Sequence, residues 1–502
     1  MNQVAGMKAN AAQLPDLSTC GREPIHIPGS IQPHGLLLVL KEPELAVLQA
    51  SANTEEFLGI PVEQVLGAPL STLFRQGEGD TLAQGLRQAK LERTPVYLLN
   101  VHLPSGAGTL NAIAHRFEGV LILELEPATS EEPVSFPDLY PLVHTFFAKL
   151  RKLSSLEDLA QFAAEETRRL TGFDRVLVYK FDSSWHGRVI GEALGGDYPS
   201  YFDLWFPASD IPEQARRLYE RNRIRLIANV DYTPVPIVPE VNPITNLPLD
   251  LSFAGLRSVS PVHLEYMRNM GLASSMSISI LVEDGRLWGL ISCHHRCPRK
   301  VPFQVRSTCD FLAQALAVQL EANEQRTDYE QRIRLKSFVT RMLGAMAEED
   351  EFIRGLTKCP DDLLEFADAS GAAVLYEGRC ILLGSCPDEE HVWSLVNWLV
   401  EQGREEIFFS DCLPLVVPNG EAYRERASGV LAISISKIYR SYVLWFRPEV
   451  VQTVKWGGDP RKPVEEQESG SFRIHPRKSF EIWKETVENR SRPWRQAEID
   501  AA

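Results

Sequence analysis

The residues best suited to chemistry lie on a hairpin. Asp284-Gly285 is a two-residue type I′ turn signal between two runs of alternating character, one ending Ser275-Met276-Ser277-Ile278-Ser279-Ile280 and one reading Gly289-Leu290-Ile291-Ser292-Cys293-His294. With those two residues as the loop, Ser279 stands across from Leu290, Ser277 across from Ser292 and Ser275 across from His294. All share one face, because strand side chains alternate with period two. The other face carries Ile278, Ile280, Ile291 and Cys293 and reads as core. Hydroxyls and an imidazole are costly to bury unpaired, so their face reads as the wall of a pocket for a polar or anionic ligand.

Other candidates surround this hairpin in the sequence. Ser260, His263 and Tyr266 fall at three-residue steps, on one side of a short helix. Taken alone, a histidine such as His263 is more often a satisfied helix residue than a ligand. Arg225 and Arg257 are single guanidiniums beside apolar runs; each suits a surface charge, and the pair suits ligand carboxylates by bidentate bonding. In Phe206-Pro207-Ala208-Ser209-Asp210-Ile211-Pro212-Glu213, the spacing predicts Asp210 as a helix N-cap, Pro212 in the first turn and Glu213 closing a capping box. Cys293-His294-His295-Arg296-Cys297 offers metal-ligand types, but neighbouring strand residues face opposite ways and do not close a tetrahedron on one ion. Nucleophile triads, phosphate-binding loops and dinucleotide glycine patterns are missing, so the sequence presents a ligand pocket without a catalytic engine.

The elements that must position these residues are bounded by length and composition. At 502 residues the chain suggests about three domains of ~150 residues. A formal charge of -15 argues against a general nucleic-acid surface. Eight scattered cysteines make no secreted disulfide framework. No apolar run approaches the ~20 residues of a membrane span and the N-terminus has no signal-peptide pattern, so the cytoplasm is the expected compartment.

Residues 1–30 read as an extended arm. Strand-like runs at 36–40, 46–50, 96–103 and 119–126, with helical patterns at 54–58 and 79–90, predict a small α+β domain. A second α+β domain continues to about residue 299 and contains a Pro-rich excursion, 231–248, too poor in donors for regular structure. Beyond Pro302, Leu312, Leu316 and Leu320, then Leu335, Phe338, Val339, Met342, Leu343 and Met346, keep a helical stripe. This predicts either one very long helix, suited to a parallel dimer, or two helices with a break at 324–328. A third domain over about 350–490 has strand runs at 372–376, 406–409, 429–435 and 443–446, a helix at 389–401, and a polar hairpin arm between Trp456-Gly457-Gly458 and Pro476-Arg477-Lys478-Ser479-Phe480.

Several motifs in this order resemble the photosensory module of a bacteriophytochrome over nearly the whole chain. They are Cys20-Gly21-Arg22-Glu23-Pro24 running into Gln32-Pro33-His34-Gly35, the Pro207 to Pro212 segment, Arg257 to Tyr266, Trp288 to His295, and Pro476 to Phe480. The resemblance implies an α+β fold of three tandem PAS/GAF-like domains with antiparallel sheets, flanking and connecting helices, an N-terminal knot threaded by Ile31, and a tongue hairpin. Its boundaries would be an arm at 1–30, PAS at 31–130, GAF at 135–322 and PHY at 323–502, with the tongue at about 450–485.

The same resemblance implies biliverdin as cofactor, joined by a thioether from Cys20. Val262 stands where plant and many cyanobacterial phytochromes carry their bilin cysteine, which leaves the attachment to the arm. Asp210, with Ile211 beside it, would meet the pyrrole nitrogens through its backbone carbonyl, and His263 would hold the ring waters. Tyr179, Tyr201, Phe206 and Tyr266 would form the D-ring pocket, with His294 bonded to the D-ring carbonyl. Arg225, Arg257, Ser260, Ser275 and Ser277 would bind the propionates.

Red light would isomerise the C15=C16 bond, and the tongue would answer by exchanging an Arg477–Asp210 pair for a Ser479–Asp210 bond. Expected partners are a second copy through the GAF and PHY helices and an output module, most often a histidine kinase, or a response regulator. This chain shows no phosphorylation helix or ATP-binding domain of its own. Neither nucleic acid nor membrane is expected as a partner. The competing reading is a GAF-type sensor of haem or a cyclic nucleotide, which needs neither Cys20 nor the Asp210/Arg477 pair.

Overall fold

Apolar runs of strand length and helical stripes between them build two compact units in a computed structural model that describes residues 23–75, 77–103, 108–128, 136–403, 406–436, 440–460, 464–466, 472–474 and 479–502. One unit holds 1–321 with 456–483, the other 322–455 with 484–502.

The first unit contains a seven-stranded antiparallel sheet in the order Ser30–Ile31, Val235–Val238, Ala46–Ser51, Leu36–Lys41, Val120–Pro127, Thr109–Phe117, Val96–His102. Leu36, Leu38, Leu40, Leu121, Leu123 and Leu125 point to one core, shared with Leu82 and Leu86 of the helix Glu78–Gln88. Leu37, Val39 and Ile122 point to the opposite core, with Ile31, Ile237, Leu251 and Leu256. Burial on both faces is why the strand Leu36–Lys41 is an unbroken apolar run. The strand Thr109–Phe117 was not anticipated, since Asn111, His115 and Arg116 interrupt its apolar pattern.

The Pro-rich excursion departs from expectation. Its segment Val235–Val238 is a strand, paired with Ser30–Ile31 on one side and with Ala50 and Ser51 on the other. Proline is tolerated because the ladder uses carbonyls here: Pro236 accepts from the Ala52 amide at 2.9 Å. Ser30 and Gln32 are also bonded to the returning limb, where Gln32 N donates to Leu256 O and Ser258 N donates to Ser30 O. The fully buried Ile31 thus passes between both limbs of the excursion, the threading that makes the knot.

The second sheet runs Ile224–Ile227, Ser274–Leu281, Leu287–His295, Arg175–Phe181, Gly187–Leu194, Trp205–Phe206. Ser275 pairs with His294, Ser277 with Ser292 and Ser279 with Leu290, the register the sequence predicts. The turn differs. Glu283–Gly285 is a 3-10 turn, the register slips between Ile280 and Leu281, and Leu281 pairs with Leu287. The wider loop closes through Val282 N and Arg286 O at 3.0 Å. Met276, Ile278, Ile280, Ile291 and Cys293 face the core against the helix Leu156–Thr171 and Leu312, Leu316 and Leu320.

The helix Phe303–Ala347 is continuous over 45 residues, with no break at 324–328. In the second unit a five-stranded antiparallel sheet runs Arg379–Gly384, Gly371–Tyr376, Ser441–Arg447, Gly429–Ser436, Ile407–Ser410. The helix Glu389–Glu401 covers one face; Leu335, Phe338 and Met342 cover the other, with Leu363 and Phe366. The strand Arg379–Gly384 went unread because most of its side chains are exposed or half-buried. The hairpin arm has paired backbone strands, Val464–Glu466 with Phe472–Ile474.

Two outcomes test this packing. A Cβ on Gly289 would lie 2.1 Å from the carbonyl oxygen of Tyr179 on the neighbouring strand. Gly289→Ala is therefore expected to cost about 2–3 kcal/mol in a urea melt, and an unchanged midpoint would refute the close approach. His115 is buried with neither ring nitrogen bonded, and burial lowers its pKa to about 4. Between pH 6.5 and 4 the unfolded chain takes a proton that the folded one refuses, so this contribution is present above pH 6.5 and lost as pH falls. His115→Phe should flatten stability against pH there by up to about 1.4 kcal/mol per pH unit.

Candidate functional site

Three elements converge on the polar face of the second sheet. The strands contribute Tyr179, Ser275, Ser277, Leu290, Ser292 and His294, the helix Pro261–Asn269 contributes His263, Tyr266 and Met267, and the segment 206–211 contributes Phe206, Pro207, Asp210 and Ile211. Together they line one cavity, partly open to solvent, with about 70 Å³ of enclosed free volume between the side chains. Ser279 points the same way along its strand but is spent on the carbonyl of Tyr219 at 2.8 Å.

Most of the residues expected at a site are brought together here: Tyr179, Phe206, Asp210, Ile211, His263, Tyr266, Ser275, Ser277 and His294 all line the cavity. Tyr201 stands behind Phe206, ring centroids 5.8 Å apart. Arg225 pairs with Ser277 across the sheet and donates to the carbonyls of Arg257 and Ser258 at 3.2 and 3.1 Å. Ser260 donates to Glu23 at 2.8 Å. Ser479 is exposed and accepts from the Glu481 amide, with no bond to Asp210. Cys20 and Arg477 lie outside the described residues.

Asp210 is not the helix cap that its spacing predicts. It closes a 3-10 turn, Ala208–Asp210, and the helix starts at Glu213 after Pro212, with no side-chain cap. The local carbonyls are taken by Arg216, which donates to Ile211 O at 2.7 Å and Ala208 O at 3.4 Å. The Asp210 carboxylate accepts from the Tyr266 hydroxyl at 3.1 Å. Tyr266 is held in turn by His263, stacked at 6.0 Å and 9°, and by Phe480, edge-on at 5.1 Å and 88°.

Charge divides the surroundings of the pocket, whose lining includes neither Arg225 nor Arg257. Burial lowers Arg225 to about 10, and burial plus the neighbouring Arg225 push Arg257 well below the usual guanidinium range. Among the described residues neither meets a carboxylate, and Arg225 Nη1 and Arg257 Nε have no hydrogen-bond partner. Among the described residues the Arg257 side chain donates to the carbonyl of Ile25 alone. Two buried like charges without a counter-ion are costly, and this is the chemistry of a site for an anion. The imidazoles behave oppositely: burial first, then Arg225, lowers His263 to about 4, and burial, Arg175 and His263 hold His294 far below its ordinary value. Both are neutral at pH 7 and act as hydrogen-bonding groups.

Sequence reasoning missed several neighbours. Met267 and Met270 lie four and seven residues after His263, a helical spacing that was there to be read. Trp456 pairs in parallel with Trp205, and a Cβ on Gly457 would fall 2.5 Å from the Phe206 ring, so this end of the arm lies tight on the pocket wall. Nothing local in the sequence announces that contact. Arg175, opening an apolar strand, carried no signal as the partner of His294 behind the pocket wall.

Family models match in three places: a PAS fold over 20–128, a GAF domain over 155–323 and a phytochrome region over 335–502. The chain is 46% identical over 487 residues to cyanobacterial phytochrome B of Nostoc sp., across 97% of this chain and 65% of that protein. It is 34% identical over 500 residues to a bacteriophytochrome of Xanthomonas campestris, across 97% of this chain and 77% of that protein. The wild-type photosensory core module of a Stigmatella aurantiaca phytochrome superposes with a TM-score of 0.82 at 45% identity, covering 97% of each chain. The chain spans just under two thirds of the Nostoc relative's length.

Removing an unpaired buried charge should cost little. Arg225→Met is expected to leave the ligand-free protein within about 1 kcal/mol of its parent, or above it, in thermal melts. A loss beyond that would mean the guanidinium serves the fold through the two carbonyls.

Proposed function

This chain belongs to the phytochrome family, and from that premise we propose that it is the light-sensing part of a red/far-red photoreceptor, holding biliverdin in the second-sheet pocket through a thioether from Cys20. The observation that carries the reading is the pair of buried guanidiniums without a bonded carboxylate among the described residues, set beside a cavity walled by hydroxyls, aromatic rings and neutral imidazoles. A linear tetrapyrrole has that complementary chemistry, an apolar conjugated body with two propionates.

Arg225 and Arg257, with Ser260, Ser275 and Ser277, hold the propionates. The backbone carbonyl of Asp210, next to Ile211, takes the pyrrole N–H groups, and neutral His263 orders water beside them. Tyr179, Tyr201, Phe206 and Tyr266 enclose the last ring, and His294 donates to its carbonyl. The bound bilin supplies absorption of red light and a change of configuration about one double bond.

What the protein supplies is the response. Asp210 is bonded to Tyr266, which carries Phe480 of the arm on its edge, so a shift at Tyr266 reaches the arm directly. Arg477 pairs with Asp210 before light and Ser479 replaces it afterwards. The domains run as PAS 31–130, GAF 135–322 and PHY 323–502 after the arm at 1–30. The 45-residue helix suits a homodimer that passes the change to an output module, a histidine kinase or a partner of one, in the cytoplasm.

The test is to add biliverdin to the ligand-free protein and record absorption before and after red light. A reversible red/far-red difference is expected, and its absence would sink the photoreceptor reading; spectra of haem or cyclic-nucleotide binding would replace it. Cys20→Ala should abolish the zinc-fluorescent bilin band on a denaturing gel, and a surviving band would move the attachment site.

A further inference from the structure

Arg175 is the first residue of the strand Arg175–Phe181 and is only 1% exposed. It has no carboxylate partner among the described residues. Its backbone pairs with His294 across the sheet, which sets the two side chains on one face. Arg175 Nε donates to His294 Nδ1 at 3.2 Å. The guanidinium lies over two tyrosine rings, 4.0 Å from the Tyr201 centroid and 5.1 Å from that of Tyr198, and the Tyr198 hydroxyl donates to Asp174 at 3.2 Å.

A guanidinium has donors and no acceptor, so the nitrogen facing it must present its lone pair. Because His294 is neutral, its one hydrogen then sits on Nε2. Nε2 lies 2.9 Å from the hydroxyl of Ser292, two residues earlier on the same face, and both line the cavity. The opposite tautomer would set two N–H groups against each other at Nδ1 and turn a bare lone pair towards the cavity.

We propose that Arg175 is a positioning residue: it locks His294 as an Nε2–H donor aimed at a ligand carbonyl, with Ser292 accepting that hydrogen when no carbonyl is present. The inference rests on the reading above only for the ligand's identity, since the tautomer is a property of the ligand-free protein. Burial together with the Arg175 charge keeps the ring neutral, which a single-tautomer donor requires.

The test is nitrogen NMR of the ligand-free chain labelled at histidine, at pH 8, with the His294 signals identified by their loss in His294→Gln. The expected spectrum has a lone pair on Nδ1 and the hydrogen on Nε2, the other tautomer amounting to less than about a tenth, as a charge-assisted bond dictates. Arg175→Met should raise that minor form several-fold, and Arg175→Lys, which keeps a charged donor, should restore the parent ratio. A hydrogen on Nδ1 in the parent, or an unmoved ratio in Arg175→Met, overturns the proposal. The parent spectrum needs no variant, so a poorly folding Arg175→Met does not shelter the idea.

With biliverdin added, Arg175→Met should keep covalent attachment and shift the red absorption band; an unshifted band overturns the aim at a carbonyl. Failure of the parent to take up biliverdin sinks the photoreceptor reading while the tautomer result stands.

Discussion

Arg225 and Arg257 place two positive charges in the interior, where among the described residues their hydrogen-bond partners are backbone carbonyls, and much of the first unit is arranged to hold them there. Gln32, buried at the threaded N-terminal segment, donates to Leu226 O at 2.8 Å and Arg257 O at 3.4 Å and accepts from the Ala228 amide. It therefore ties the strand carrying Arg225 to the loop carrying Arg257. From the other side Glu124 accepts the amides of Gly255 and Leu256 at 3.1 and 2.7 Å, fixing the residues just before Arg257. The knot and the first sheet thus act as a frame around two guanidiniums that form no ion pair among the described residues. Like charges buried this way repel, so the frame must be stiff, and the both-sided burial of the strand Leu36–Lys41 makes it so.

The second sheet was legible where a period decided the outcome. Serines at 275, 277 and 279 alternating with apolar residues fix which side is core, and a slip of one residue would put every one of them on the wrong face. The register therefore survives although the Asp284-Gly285 turn signal misleads and the loop is wider than two residues. Asp210 shows the opposite case. Its cap reading is local, and it lost to a tertiary partner, the Tyr266 hydroxyl, 56 residues away in sequence.

Local reading also failed where small or mixed residues enter a sheet by pairing alone. Val235–Val238 is a strand because Ser30–Ile31 threads beside it, a long-range fact that its prolines conceal. Arg175 was invisible for a related reason: a guanidinium at the start of an apolar strand normally marks an exposed end, and only the cross-strand neighbour His294 reveals that this one turns inward. Helices were read more easily, because their stripe is internal to the segment. The helix Glu389–Glu401 has its expected limits, and the question of a break at 324–328 was open only because that stretch is polar on all sides.

The division of charge around the pocket also explains how one site can both grip and yield. On the guanidinium side, attraction to carboxylates in a poorly solvated interior is strong, so a ligand's anionic groups stay anchored. On the side of Tyr179, Tyr201 and His294 a ligand meets neutral rings and single hydrogen bonds, each worth on the order of 1 kcal/mol net, with the Arg175 charge held behind Tyr201 and His294. Movement confined to that side breaks no ion pair and leaves the anchor intact. The arm joins the pocket on this softer side, through Phe480 on Tyr266 and Gly457 against Phe206. Aromatic edges have steep contact potentials, and Gly457 has no room even for a methyl group, so a displacement of the Phe206 or Tyr266 ring by a fraction of an ångström must be taken up by the arm.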